Sequence, residues 1–389
     1  MSEWKKVKLG EIASAIQTGP FGSQLHQSDY SDVGTPVVMP KDIVCGKIDV
    51  STIARVESHH VERLSRHKIN EGDILYARRG DVGKCAYTDK SQTGWLCGTG
   101  CLRVTIDNAK AMPEFVFFQL QKKDTIGWVE KHAIGATMLN LNTSILSDVP
   151  IELPTLSTQY KIATILSRYD SLIENYQKQI KLLEEAAQRL YKEWFVDLHF
   201  PGHENAKIVD GVPEGWEKKP VDSIYSIKYG KNLSTKLISE SGKFPVYGAN
   251  GVIGYYDKAN CNEQVVLITS RGNGSGDVLM TYHKDAFITN NSFIVSPLED
   301  YSYCQLPFTY QFLKNANFRA VRTGAAQPQL TNQSIHTVDV LLPSKDIIID
   351  YCNKASYSNK KIIILRNQIR LLTEARDRLL PKLMGGEII

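Results

Sequence analysis

Two long stretches of the chain place apolar residues in alternating steps of four and three. The first runs from Ile162 to Trp194, and this spacing is the heptad pattern of a helix that packs against another helix. It predicts a long α-helix with Ser157, three residues after Pro154, as its N-cap. The apolar seam consists of Ile162, Leu166, Tyr169, Ile173, Tyr176, Ile180, Leu183, Ala187, Leu190 and Trp194.

A second seam lies near the end of the chain. It contains Tyr351, Ala355, Ile362, Leu365, Ile369, Leu372, Leu379 and Leu383. Ser358 and Arg376 interrupt this seam, and Pro381 is expected to end or kink the helix. Two seams of equal length most simply bury each other, so we predict an antiparallel coiled coil. The alternative is two separate helices, each packed on its own domain.

The segments outside the long helices carry short apolar runs and many turns. We predict strands at residues 36–39, 74–77, 101–106, 265–269 and 293–295, and a helix at residues 113–122. The expected fold class is α+β. It comprises two α/β-type domains separated by the pair of long helices.

Two hairpins with arginine at the turn resemble each other. Residues 74–87, ILYARRGDVGKCAY, join two apolar runs through a turn that holds Arg79-Gly80. Residues 266–280, VLITSRGNGSGDVLM, repeat the pattern with one more residue in the turn, and Arg271-Gly272 then falls where Arg79-Gly80 does. A solubilising surface hairpin would explain either one alone. Their recurrence indicates a repeat.

Further matches extend this repeat over the whole chain. Trp4 to Ile12 matches Trp216 to Ile224, and Gly135 to Ile145 matches Gly324 to Ile335. The two helical stretches match at a constant offset of 189, as Leu183 and Leu372 illustrate. We therefore predict a tandem pseudo-twofold repeat. Its segments are a first domain at 1–154, a central helical region at 155–202, a second domain at 203–343 and a distal helical region at 344–389.

Composition excludes several classes of protein. With 389 residues, 42% of them hydrophobic, the chain is long enough for several cores, and it has no apolar run of the length that spans a membrane. We expect a cytoplasmic protein. Seven cysteines form no disulfide or zinc pattern, and we expect no metal site. The net charge of +4 lies entirely in residues 344–389, where nine basic residues face five acidic ones, so a role on DNA rests on local sites.

The polar loops are rich in the side-chain types that can contact DNA bases. Arg, Asn and Gln make bidentate contacts to purine edges, and glycine lets backbone amides approach phosphate. A solvated turn is the alternative for any single loop. The candidate DNA contacts are Gln17, Thr18, Phe21, Ser23, Arg78, Arg79, Lys84, Thr137, Asn140, Lys231, Tyr247, Asn250, Arg271, Asn273, Ser275, Asn291, Arg322, Gln327 and Gln329.

Three motifs make the chain similar to a known family. They are Glu193-Trp194-Phe195-Val196-Asp197 running into Phe200-Pro201, the opening Pro213-Glu-Gly-Trp216 of the second half, and the ending LLPKLMGGEI at residues 379–388. The order of these features resembles the specificity subunit of type I restriction-modification systems. The resemblance implies two target recognition domains that each read half of a split site on double-stranded DNA. It also implies helices that set the separation of the domains.

The same resemblance implies which molecules assemble with the chain. Two modification subunits would dock on the helices, carry S-adenosylmethionine and methylate adenine, and restriction subunits would join them. The chain itself would hold no cofactor and catalyse no reaction. Two alternatives are a coiled-coil scaffold with two protein-binding domains and a self-contained DNA methyltransferase. The second lacks support, because the chain has no two consecutive prolines for the methyltransferase base-binding motif.

Overall fold

A computed structural model describes residues 4–135, 139–324 and 327–388 of the chain. It divides into two compact units, one of Met1–Ile173 with Leu371–Ile389 and the other of Glu174–Arg370. Each unit therefore combines a globular part with a portion of each long helix. The four segments predicted from sequence stay a prediction.

The first half of the chain mixes short strands with helices. Its strands are β1 Lys5–Lys8, β2 Ala13–Thr18, β3 Tyr30–Ser31, β4 Thr35–Val38, β5 Ile43–Val44, β6 Lys47–Ile48, β7 Ala54–Val56, β8 Ile74–Ala77, β9 Cys85–Tyr87, β10 Leu96–Cys97, β11 Cys101–Ile106 and β12 Pro150–Leu153. Its helices are α1 Leu9–Ile12, α2 Ser58–Arg63, α3 Pro113–Leu120, α4 Lys123–His132, α5 Thr143–Ser147 and the long α6 Leu156–Phe195.

The second half has a similar inventory. Its strands are β13 Ile208–Val209, β14 Val212–Pro213, β15 Glu217–Pro220, β16 Tyr225–Tyr229, β17 Phe244–Gly248, β18 Gly251–Tyr256, β19 Val266–Thr269, β20 Val278–Met280, β21 Phe287–Ile288, β22 Ser292–Pro297 and β23 Asp339–Leu342. Its helices are α7 Leu306–Asn315, α8 Asn332–His336 and the long α9 Lys345–Met384. Mixed helix and strand agrees with the predicted fold class.

The sheets of the two units have the same strand order. A four-stranded antiparallel sheet runs β2-β11-β8-β9 in the first unit and β16-β22-β19-β20 in the second. A two-stranded antiparallel pair precedes the long helix in each case, β1 with β12 and β15 with β23. The predicted strands and both arginine hairpins are confirmed, since β8 pairs with β9 and β19 with β20.

Each sheet packs against a helix and against the ends of the long helices. In the first unit, Phe115 of α3 and Ile162 of α6 share a core with Leu383 of α9. In the second unit, the ring of Phe195 lies 5.1 Å from that of Tyr351 and 5.4 Å from that of Phe308, centroid to centroid. The aromatic motif at residues 193–197 therefore closes the second core at the end of α6.

Two details of the long helices differ from the predictions. Helix α6 begins at Leu156, so Ser157 lies inside it, and the hydroxyl oxygen of Thr155 accepts the backbone N–H of Thr158 at 3.4 Å. Helix α9 continues to Met384 although it contains Pro381. A proline removes one backbone donor, and the helix ends within the following turn, so the loss is small there.

The apolar seams lie where the pattern puts them. Every residue of the first seam is buried or half-buried, and Ile180 packs with Ile362 and Leu365 in the second unit. In the first unit the carboxylate of Asp170 accepts a hydrogen bond from Nη1 of Arg376 at 2.7 Å. At position 376, where the apolar seam of α9 is interrupted, the two long helices are therefore joined by an ion pair.

Candidate nucleic-acid interface

In the first unit, a distant loop braces the turn that follows β8. The backbone of Arg79 pairs with that of Asn140, and the N–H of Leu141 donates to the carbonyl of Arg78 at 2.8 Å. Asn140 also exchanges backbone hydrogen bonds with Ile134, at 3.0 and 2.8 Å. These bonds hold the turn after β8 against the loop that carries Asn140 and leave the side chain of Arg79 exposed.

A second loop of the first unit adds an aromatic ring. The guanidinium carbon of Arg78 lies 5.9 Å from the centre of the Phe21 ring, and that ring is 57% exposed. The hydroxyl of Thr99 donates to the carbonyl of Pro20 at 3.0 Å, which ties this loop to the segment before β11. An exposed ring beside Arg78 can stack on a base or on a sugar face. Ser23 of the same loop is exposed as well.

In the second unit the turn after β19 is braced in the same way. The backbone of Arg271 pairs with that of Gln329, and the N–H of Leu330 donates to the carbonyl of Ser270 at 2.8 Å. Gln329 exchanges two backbone hydrogen bonds of 2.9 Å with Thr323. Arg271, Gln329 and Gln327 are exposed.

The two turns are equivalent down to single hydrogen bonds. Asn140 and Gln329 occupy the same place, 189 residues apart, and each pairs with an exposed arginine. Both side chains end in an amide, which can donate to and accept from an adenine edge. The geometry thus presents one guanidinium from each unit and the exposed amide of Gln329 from the second, whereas Asn140 is half-buried and its Oδ1 is buried.

Additional polar residues surround the second turn. Nε of Arg322 donates to the carbonyl of Arg319 at 3.0 Å, and its Nη1 lies 3.5 Å from the carbonyl oxygen of Asn273. The carbonyl of Asn291 accepts from the N–H of Ser270 at 2.8 Å. Lys231 and Asn250 are exposed on neighbouring segments. These residues form a polar surface around Arg271.

Comparison with known proteins identifies the family. The type I restriction modification DNA specificity domain matches residues 1–185 and again residues 213–369. The chain belongs to this family. It is a family of non-catalytic DNA-recognition subunits, and the resemblance inferred from sequence motifs is confirmed.

Relatives cover the whole chain. The MjaIX specificity subunit of Methanocaldococcus jannaschii is 26% identical, with 99% of this chain and 93% of the relative aligned. The HindI specificity subunit of Haemophilus influenzae is 23% identical over 100% of both chains. A crystal structure of the S subunit from M. genitalium shares the fold, with a TM-score of 0.61 and 20% identity over 98% of this chain and 96% of that one.

Two candidate DNA contacts of this specificity family member have buried side chains. Tyr247 is only 3% exposed, and its hydroxyl lies 2.9 Å from Nδ1 of His283, so it serves the interior of the second unit. Ser275 is fully buried and its hydroxyl donates to the carbonyl of Ser270 at 3.3 Å, which stabilises the turn from inside. Neither side chain presents a polar atom to a ligand.

Four other candidates are half-buried, ion-paired or outside the described residues. Gln17 and Thr18 are half-buried at the end of β2, and Oε1 of Gln17 accepts from Nη2 of Arg103 at 2.7 Å. Lys84 is exposed but forms an ion pair of 2.6 Å with Asp81. Thr137 lies outside the described residues. As DNA contacts, these residues stay predictions.

Sequence reasoning missed Arg319 as part of this surface. Its guanidinium is exposed and Nε donates to Oδ1 of Asp277 at 2.9 Å, so it links the turn after β19 to the segment that carries Arg322. The spacing of three residues between Arg319 and Arg322 was the available signal. In the described ranges no cluster of three or more metal-ligating side chains occurs, and no helix is long and apolar enough to cross a membrane.

Proposed function

We propose that this specificity subunit reads a split DNA site, one half with domain 1–154 and the other with domain 203–343. The observation that carries the proposal is the pair of equivalent turns, in which Arg79 is braced by Asn140 and Arg271 by Gln329. Two copies of one reading surface on one chain suit two half-sites. A single continuous site would need only one.

The long helices are the proposed spacer between the two recognition domains. Pairing of Ile180 with Leu365 in one unit and of Asp170 with Arg376 in the other supports an antiparallel coiled coil, because the residue numbers rise on α6 as they fall on α9. Each helix has 40 residues and would be about 60 Å long. The pseudo-twofold repeat belongs to the same proposal.

The helices also offer surface for two modification subunits. Ile165 and Leu172 of α6 are exposed one heptad apart, and so are Tyr357 and Ile364 of α9. Exposed apolar residues at this spacing suit a partner protein. The partner would supply S-adenosylmethionine and the methyl transfer, restriction subunits would join the same assembly, and the cytoplasmic location stays a prediction. The mass of the purified complex tests the stoichiometry, and a mass with one modification subunit would contradict it.

Mapping of methylated adenines tests the two-domain reading. In cells that express the modification subunits, Arg79→Ala should weaken base discrimination in one half-site and Arg271→Ala in the other. The ratio of methylation rates between the native and a substituted base should fall by about tenfold, since a bidentate guanine contact contributes about 1–3 kcal/mol of discrimination. Lys258→Ala removes an exposed charge of the second unit away from the turn and is the control. A loss that is equal at all DNA sequences would instead identify phosphate contacts.

A further inference from the structure

One tyrosine of the second unit inserts between the two long helices. Ile180, Ile362 and Leu365 form a small buried apolar cluster, with further apolar residues of α6 and α9 at its margin. Tyr282, two residues after β20, packs against this cluster. Of the residues in the cluster, Tyr282 is the one that comes from the recognition domain.

A charged pair holds the ring of Tyr282 in this position. The guanidinium carbon of Arg366 on α9 lies 3.8 Å from the centre of the ring. Nη2 of Arg366 donates to Oε1 of Glu184 on α6 at 2.8 Å. The three side chains therefore join α6, α9 and the recognition domain at one point.

The backbone of Tyr282 is linked in turn to the strands that carry the reading loops. Its N–H donates to the hydroxyl oxygen of Tyr247 in β17 at 3.0 Å, and its carbonyl accepts from Nε2 of Gln264 at 3.0 Å. Asn250, a candidate base contact, follows Tyr247 by three residues at the turn between β17 and β18. If Tyr282 shifted relative to α6 and α9, its hydrogen bond to Tyr247 would move β17 with it.

An open cleft lies beside the junction of Tyr282, Arg366 and Glu184 and separates the recognition domain from the helices there. Its volume is about 620 Å³, and Tyr247, Asn250, Tyr282 and Arg366 are among the residues that line it. Side chains across an open cleft do not pack on one another. On this side of the unit, the three-residue junction therefore adds to the aromatic core around Phe195 and Tyr351 in holding the domain on the helices.

We propose that Tyr282, Arg366 and Glu184 are positioning residues that fix the orientation of the second recognition domain and thereby restrict the spacer length that the protein accepts. The inference rests on the proposed reading of a split site. The junction is linked to the buried Tyr247 and not, by any described hydrogen bond, to the exposed candidates Arg271 or Gln329. Its loss should change the tolerated spacer and leave the sequence of both half-sites intact.

The test uses the complex with modification subunits and a DNA library. The half-sites mapped for the unaltered protein are held constant, and the spacer is varied by one and two base pairs in each direction. Arg366→Met keeps a long side chain over the ring but removes the charge, and Tyr282→Ala removes the ring. Tyr282→Phe keeps the ring and is the matched control.

Arg366→Met should lower the preference for the native spacer over its neighbours by about fivefold, which is within the range of a partly buried cation–π contact. Tyr282→Ala should lower it further, and Tyr282→Phe should behave as the unaltered protein. An unchanged preference in Arg366→Met, including an equal loss of rate at all spacers, overturns the inference. Loss of the second half-site sequence overturns it too. If the unaltered protein modifies no split site, the proposed function itself fails.

Discussion

Removal of one heptad from both long helices tests whether they set the distance between the half-sites. The proposed deletions are residues 171–177 of α6 and 369–375 of α9. They leave both seams in register because seven residues are two helical turns of the heptad pattern. They also keep the hydrogen bond of 2.7 Å between Asp170 and Arg376 and that of 2.8 Å between Glu184 and Arg366.

The expected change follows from helix and duplex geometry. Seven residues at 1.5 Å each shorten the helix pair by about 10 Å. Duplex DNA rises about 3.4 Å per base pair, so the spacer should shorten by up to about three base pairs. Those three pairs also rotate the second half-site by roughly 100°, at about 10.5 pairs per turn. Weaker binding with a new optimum spacer is therefore the expected outcome.

Sequencing of the methylated sites measures the result. A shorter spacer between unchanged half-sites agrees with the helices as a ruler. Retained activity on the original spacer would refute the reasoning, because the domains would then find their half-sites independently of the helix length. A deletion of residues 171–177 alone is the control. It shortens only α6, so the Asp170–Arg376 and Glu184–Arg366 pairs can no longer form together, and activity should be lost on every spacer.

Two further predictions concern the folded units. Gly19→Ala places a Cβ against the carbonyl oxygen of Gly98 and should lower the free energy of unfolding by about 2 kcal/mol in urea titrations, whereas Gly22→Ala, which meets open space, should leave it unchanged. Burial, with smaller effects of Arg66 and Arg103, lowers the pKa of His67 in the folded chain. As the pH falls, His67 is therefore protonated in the unfolded chain before it is protonated in the folded chain. The free energy of unfolding should then decrease below about pH 6.5, by up to about 1.4 kcal/mol per pH unit. His67→Gln should remove this part of the pH dependence, and a variant with the same pH profile as the unaltered protein would contradict the prediction.

Local patterns predicted most of the fold. The seam of α6 and the two arginine hairpins were readable because an apolar spacing of seven, or an apolar run broken by glycines, depends on neighbours in sequence. The bracing of Arg79 by Asn140 was not readable. It joins residues 61 positions apart through backbone atoms, to which side-chain patterns give no access.

Burial of polar side chains was not predictable from residue type at the site. Tyr247 and Ser275 have the residue types of a DNA contact, yet each finds its hydrogen-bond partner inside the second unit. A hydroxyl that is satisfied internally costs little to bury, so residue type alone does not separate a reading residue from a supporting one. The tandem repeat separates them better, because Arg79 and Arg271 are exposed at the same place in both units.

The interruption of the second seam at Arg376 leads to a last prediction. The side chains of Arg376 and Asp170 are 27% and 19% exposed. Burial disfavours the charged guanidinium, but hydrogen bonds to Asp170 and Asp377 outweigh it and raise the pKa of Arg376. Asp170→Leu leaves the half-buried guanidinium with Asp377 alone, so it should lower the free energy of unfolding by about 2 kcal/mol. The double variant Asp170→Leu with Arg376→Leu should recover most of that loss, because it leaves no unpaired charge at this contact and leucine at position 376 continues the seam of α9. Urea unfolding of the single variants and the double variant measures the coupling, and a double variant as unstable as the sum of the single effects would contradict it. Recovered stability together with a broader range of accepted spacers would mean that the ion pair fixes the register of the helices rather than their stability.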